Sequence, residues 1–149
     1  MKYPIFLCIL LTLVACKEEA AKSNPSDKTA TISAITSIMD KQQLAWNNGD
    51  LESFMMPYWK SDSLQFIGKR GINYGWQNTL DNYKKSYPDK EAMGRLQFTN
   101  LQKEALDSSN VFIVGKWELF RSSDTLAGHY TLLWKKINGE WVIIVDHSS

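Results

Sequence analysis

The spacing of apolar positions changes along the chain. Up to Tyr87 it is mostly helical, and from Gly94 onward it alternates. In residues 29–47, Ile32, Ile35, Met39 and Trp46 form a helical stripe, with Ile38 and Ala45 beside it. Asn48-Gly49 ends that helix, and Asp50 suits the N-cap of the next. Leu51, Phe54, Met55 and Tyr58 fall at i, i+3, i+4 and i+7, predicting a short helix over 51–59 with one buried face. Ser61-Asp62-Ser63 is a turn. Leu64 and Phe66 then share one face of a brief strand, and Lys69-Arg70-Gly71 loops into a second strand over 72–74. Trp76, Leu80, Tyr83 and Tyr87 line one face of a third helix, which Pro88 stops.

The alternating half predicts four long antiparallel strands. In residues 95–106, Leu96 and Phe98 share a parity, whereas Leu101 and Ala105 have the other. That phase slip predicts a β-bulge near Asn100. In residues 111–121, Val111, Ile113, Trp117 and Leu119 share a face with Gly115, and the opposite face is mixed. Two apolar runs, 129–136 and 140–146, flank Asn138-Gly139, a pair suited to the positive φ of a tight hairpin turn. Three helices followed by a curved, mostly antiparallel sheet make an α+β domain.

Composition adds two constraints. The 149-residue chain carries 17 basic and 16 acidic side chains, a balance that argues against nucleic acid as a partner. Six Trp, six Tyr and six Phe imply a bulky core, a ring-lined cavity, or both.

The first residues are read as an address. Lys2 precedes an apolar run over 5–15, shorter than the roughly 20 residues of a spanning helix. It fits a secretory signal over 1–15. Leu13-Val14-Ala15-Cys16 resembles a bacterial lipobox, which implies cleavage before a diacylated Cys16. Lys17-Glu18-Glu19 resembles the surface-export signal of Bacteroidetes-type lipoproteins, or is simply a charged tether. Residues 16–28 then form the lipidated Cys and a flexible linker, and 29–149 the domain. Cys8 leaves with the signal and lipid caps Cys16, so the mature chain has no free thiol. The expected location is the cell envelope, on the periplasmic face or the cell surface, held to the membrane through the anchor only.

Several pieces in order carry a family resemblance. They are Ala45-Trp46-Asn47-Asn48-Gly49-Asp50-Leu51, Tyr58-Trp59-Lys60-Ser61-Asp62-Ser63-Leu64, Tyr74-Gly75-Trp76, Gly115-Lys116-Trp117, and the run from Trp134 through Gly139-Glu140-Trp141 to Asp146-His147. Residues 29–149 thereby resemble the nuclear-transport-factor-2-like (NTF2-like) superfamily, in particular its SnoaL-like or DUF4440 branch. The resemblance implies a cone in which three N-terminal helices pack on a strongly curved sheet around a pocket, and it implies a homodimer. It does not specify a reaction, because the fold carries isomerases, dehydratases, cyclases and members without known chemistry.

Relatives that are enzymes use pocket carboxylates with Tyr, His or a protonated acid as partner. Here the other aspartates sit in turns, caps and helix surfaces, and only Asp146 ends a strongly apolar strand. The isomerase's Tyr–Asp–Asp set has no counterpart at matching positions. Adjacent strand residues face opposite ways, so Asp146 and His147 cannot share a face. A two-residue turn at Asn138-Gly139 sets Tyr130 opposite His147 and Thr131 opposite Asp146. A three-residue loop sets His129 opposite His147 and Tyr130 opposite Asp146. The first gives the cleaner apolar face and makes Tyr130 and His147 the expected pocket pair. Trp46, Tyr58, Trp76, Tyr83, Trp117, Tyr130 and His147 are the expected pocket lining. Catalytic candidates are His147, Asp146 and Tyr130. Two His and no mature Cys offer no metal set, and no cofactor fingerprint is present. The expected activity is binding of a small apolar molecule. The alternatives are a cyclase, isomerase or dehydratase with His147 or Asp146 as acid/base, and a non-catalytic dimeric module. Replacing Cys16 with Ser is expected to move the protein from the membrane to the soluble fraction; unchanged membrane association on fractionation would refute lipidation.

Overall fold

A computed structural model of the chain describes residues 25–149. The signal segment, Cys16 and the linker as far as residue 24 lie outside the described residues. The first helix, α1, is Pro25–Asn47, so it starts earlier than its apolar stripe indicates and takes in the last residues of the expected linker. Pro fits a first helical turn, where no intrahelical N–H bond is needed, and Asp27 favours the same end of the helix dipole. Ile35, Met39, Gln42 and Trp46 form its buried stripe.

Gly49 ends the turn after α1 with φ +81, and the Asp50 carboxylate caps α2 (Leu51–Met55) by accepting from the Ser53 N–H at 2.9 Å. Helix α2 stops at Met55 rather than near residue 59. Met56 is still helical, at φ -54 and ψ -40, but Pro57 follows it with no N–H to continue the helical ladder. The segment turns extended instead. The Ile143 N–H donates to the Pro57 carbonyl and the Trp59 N–H to the Ile143 carbonyl, so Tyr58 lies parallel beside Ile143. All four residues of the predicted face, Leu51, Phe54, Met55 and Tyr58, are still buried.

Strands β1 (Gln65–Gly68) and β2 (Gly71–Tyr74) form the small hairpin. Helix α3 (Trp76–Ser86) follows, then a one-turn helix α4 (Lys90–Met93) that the apolar spacing does not predict. Asp89 caps α4 by accepting from the Ala92 N–H at 2.8 Å. The long strands are β3 (Arg95–Ala105), β4 (Asn110–Phe120), β5 (Thr125–Ile137) and β6 (Glu140–Ser148). They make one sheet with β1 and β2, in the order β2-β1-β6-β5-β4-β3, and only the β1–β6 pair is parallel.

Strand β3 lies at the sheet edge, and α1 covers it with side-chain amides. Asn47 accepts from the Leu96 N–H at 2.7 Å and donates to the Leu96 carbonyl at 3.0 Å. One helical turn earlier, Gln43 accepts from the Phe98 N–H at 2.6 Å. These bonds satisfy edge groups that otherwise template further pairing, and they fix the helix across the mouth of the curved sheet. The bulge expected near Asn100 is present: Leu101 has no partner between the Asn100–Gly115 and Gln102–Val114 pairs.

The β5–β6 turn has the two-residue form, with Asn138 at φ 52 and Gly139 at φ 87. Lys136 opposes Trp141 and Trp134 opposes Ile143, as that turn requires. The register then slips. Leu133 pairs with Val145, leaving Ile144 as an extra residue in β6. Beyond it Leu132 opposes Asp146, Thr131 opposes His147 and Tyr130 opposes Ser148. The expected Tyr130–His147 pairing is therefore corrected by one residue. The inner face of the sheet, with Val111, Ile113, Leu132, Trp134 and Ile143, packs on Ile35, Met39, Met55 and Leu64 to form the core.

Candidate functional site

Between the helices and the inner sheet face lies a cavity of about 280 Å³. Its helical side is a cluster of rings. Trp46 from α1 meets Phe54 from α2 edge-on at 4.9 Å between centroids, and Tyr83 from α3 meets Phe54 edge-on at 5.3 Å. Tyr87, just past α3, packs on Trp46 at 4.8 Å, and Phe66 from β1 meets Tyr83 at 5.7 Å. The sheet side is formed by Leu96 and Phe98 of β3, Trp117 and Leu119 of β4, and Tyr130 and Leu132 of β5. Gly115 opposes Tyr130, and a Cβ there would come within 2.2 Å of the Tyr130 ring. The glycine is thus what admits the ring to this face. The Tyr130 hydroxyl donates to Asn100 Oδ1 at 2.7 Å, across the β3 bulge.

Asp146 supplies the one side-chain carboxyl among the lining residues. It is 3% exposed. The Tyr58 hydroxyl donates to Oδ2 at 2.7 Å and the Ser148 hydroxyl to Oδ1 at 2.6 Å. Burial pushes its pKa up, while Ser148, Tyr58 and the neighbouring His147 pull it partly back. Burial also raises the Tyr58 and Tyr83 hydroxyls well above the usual tyrosine value, and the Asp146 charge raises them further. Tyr130 is raised for the same two reasons. At neutral pH these hydroxyls are therefore protonated donors ranged around one proton-binding carboxyl. Such a set can donate hydrogen bonds to a small molecule or exchange a proton with it.

Of the residues expected to line the pocket, Trp46, Tyr58, Tyr83, Trp117 and Tyr130 do so, and Trp76 and His147 do not. The Trp76 indole N–H donates to the Met55 carbonyl at 2.9 Å, and the Lys60 ammonium lies 5.2 Å from its ring, so it pins α3 to α2. His147 is exposed because the extra residue Ile144 reverses the facing of everything after it, turning Asp146 inward and His147 out. Among the catalytic candidates, Asp146 and Tyr130 share the cavity and His147 is excluded from it. The sequence reading overlooked Phe66, Phe98, Gln42 and Ser148 as lining. Phe66 and Phe98 carried a signal, since each alternates with a core leucine. Ser148 stands two residues from Asp146 and so on its face. Buried Gln42, which donates to the Phe54 carbonyl at 3.0 Å, gave none. No group of three or more His, Cys, Asp or Glu side chains converges among the described residues.

The chain matches solved structures. It is 41% identical to an NTF-2 like protein of unknown function from Shewanella oneidensis MR-1, with a TM-score of 0.75 over 85% of this chain and 99% of that one. An NTF2-like protein of unknown function from Pseudomonas putida KT2440 superposes with a TM-score of 0.65 at 16% identity, covering 81% and 87% of the two chains. An NTF2-like superfamily protein from Salmonella enterica serovar Typhimurium LT2 gives 0.63 at 18% identity, covering 81% and 92%. No protein-family model and no curated protein matches the chain.

Below the ordinary carboxylate value of 3.8 Asp146 is protonated in both folded and unfolded chains. Its folded pKa is raised, so its contribution to stability is full there and is lost as pH rises through the folded value. The stability of the wild type minus that of Asp146→Asn, from urea denaturation at successive pH values, is therefore expected to fall from about pH 4 upward and then level off. A difference independent of pH would refute the raised pKa.

Proposed function

Because the chain belongs to the NTF2-like family, whose fold often serves small-molecule binding or catalysis, we propose that it binds a small, largely apolar molecule bearing one polar group. The observation that carries this reading is the cavity of about 280 Å³ walled by rings and leucines, with a single buried carboxyl among its lining residues. Apolar walls supply affinity, worth about 25 cal/mol per Å² of ligand surface removed from water. The few polar groups fix its orientation. Asp146 and the Tyr58 hydroxyl are among those groups. The domain works outside the membrane, tethered at Cys16 by lipid.

Native mass spectrometry of protein purified from its own host is expected to find a bound small molecule. Phe98→Trp, which adds bulk at the cavity wall, is expected to remove it. A wild type that carries nothing, and whose tryptophan fluorescence no apolar probe alters, would overturn the proposal.

A second reading, proton transfer on the bound molecule, is favoured by one feature. Asp146 sits in the apolar cavity with its pKa raised by burial, hydrogen-bonded to Tyr58 and Ser148. A carboxyl whose proton is held more tightly than usual is a stronger base than a solvated one, and it can take a proton from carbon or oxygen and return it. For any isomerisation or elimination found with this protein, Asp146→Asn is expected to lower kcat by about 10²–10⁴-fold while leaving ligand affinity within about tenfold. A kcat unchanged by that substitution would exclude Asp146 as the acid/base.

A further inference from the structure

A second hollow, of about 510 Å³, lies between the β1–β2 hairpin and α3. It shares Phe66, Lys69, Tyr83 and Tyr87 with the inner cavity. The two spaces differ in chemistry. The inner one is mostly rings and leucines, with Asp146 in its wall. The outer one adds Arg70 to the shared Lys69, along with Asn73, Thr79, Asn82 and Ser86, and no carboxylate lines it. Thr79 and Asn73 are bonded to each other, whereas Lys69 and Arg70 form no ion pair among the described residues. Two neighbouring cations without a counter-charge repel each other, and the arrangement improves when an anion lies between them. Gly71, at φ +104, closes the hairpin and carries both side chains to this edge.

Resting on the cavity reading above, we propose that the two hollows form one bipartite site for an amphipathic organic anion. The apolar body occupies the inner cavity, and a carboxylate, sulfonate or similar head lies in the outer hollow against Lys69 and Arg70. The orientation follows from charge. An anionic head at the inner wall would face the Asp146 carboxyl and lose its hydration among aromatic rings. At the outer hollow it meets two cations and uncharged amides and hydroxyls while staying in contact with water. The Phe66 and Tyr83 rings, in edge contact at 5.7 Å and lining both hollows, are where body and head join.

The probes are naphthylacetate and its neutral isostere naphthylacetamide, which share one apolar body. Binding is followed by tryptophan fluorescence and by calorimetry on the full chain. Wild-type protein is expected to bind the acid about tenfold more tightly than the amide, with the difference shrinking as salt is raised. In Lys69→Gln/Arg70→Gln the acid's affinity is expected to fall about tenfold, while the amide's changes by less than about twofold. Both positions are exposed, so circular dichroism is expected to match the wild type. Equal affinity for acid and amide in the wild type, or equal losses for both in the variant, would overturn the bipartite site and leave the cavity reading standing. Failure of both probes to bind would overturn both readings, and an amide that binds while the acid does not would overturn the bipartite site alone.

Discussion

One extra residue in β6, Ile144, governs the chemistry of this domain. Without it the strand would keep the register set by the Asn138-Gly139 turn, and Asp146 would face away from the cavity. With it, Asp146 opposes Leu132 on the inner face and His147 points to solvent. The same strand is held on both sides, by β5 in antiparallel pairing and by β1 in parallel pairing, with Phe66 set beside Asp146. Such a strand cannot slip back locally without breaking two ladders. The bulge is therefore a fixed feature of the fold, and it is what converts an apolar cavity into one with a titratable group.

The magnitudes explain why that group is tuned as it is. A hydrogen bond to an ionised carboxylate contributes about 1.5–3 kcal/mol, and Asp146 accepts two. Removing a carboxylate from water costs several kcal/mol even after relaxation, comparable to what the two bonds return, and burial is the larger effect on the Asp146 proton. Desolvation wins and the proton is held more tightly. The tyrosine hydroxyls follow the same logic, since an ionised phenolate beside a carboxylate in this setting would be worse still. The ring cluster maintains the dry environment. Tyr83 meets the rings of Trp46, Phe54, Phe66 and Tyr87, which come from α1, α2, β1 and the end of α3, so one side chain of α3 ties α1, α2 and β1 together.

Anchoring of α1 to β3 by Asn47 and Gln43 serves the same end from outside. These amides pair the edge of the sheet and set the distance at which Trp46 meets the cavity. At the sheet's other edge, the β1–β2 hairpin presents Lys69 and Arg70 beside α3. The two edges of the sheet thus differ in covering, one capped by side-chain amides of α1 and the other formed by a hairpin packed beside α3.

Local patterning was enough for most of the elements. Helical stripes in 29–47 and around Tyr83, alternation after Gly94, the phase slip near Asn100 and the Asn138-Gly139 turn are all short-range signals, and the cone with its ring-lined interior followed from them and from the family resemblance. The end of α2 was misplaced because Tyr58 continues a helical spacing that Pro57 interrupts. Two features lay beyond the sequence. The Tyr58–Asp146 bond joins residues 88 apart in the chain and depends on Tyr58 lying parallel to Ile143. The slip at Ile144 occurs inside Val142-Ile143-Ile144-Val145, a continuous apolar run in which either register buries equally good side chains. Sequence determined that a polar strand end would meet an aromatic cavity. Pairing with β1 and β5 decided that Asp146, and not His147, faces it.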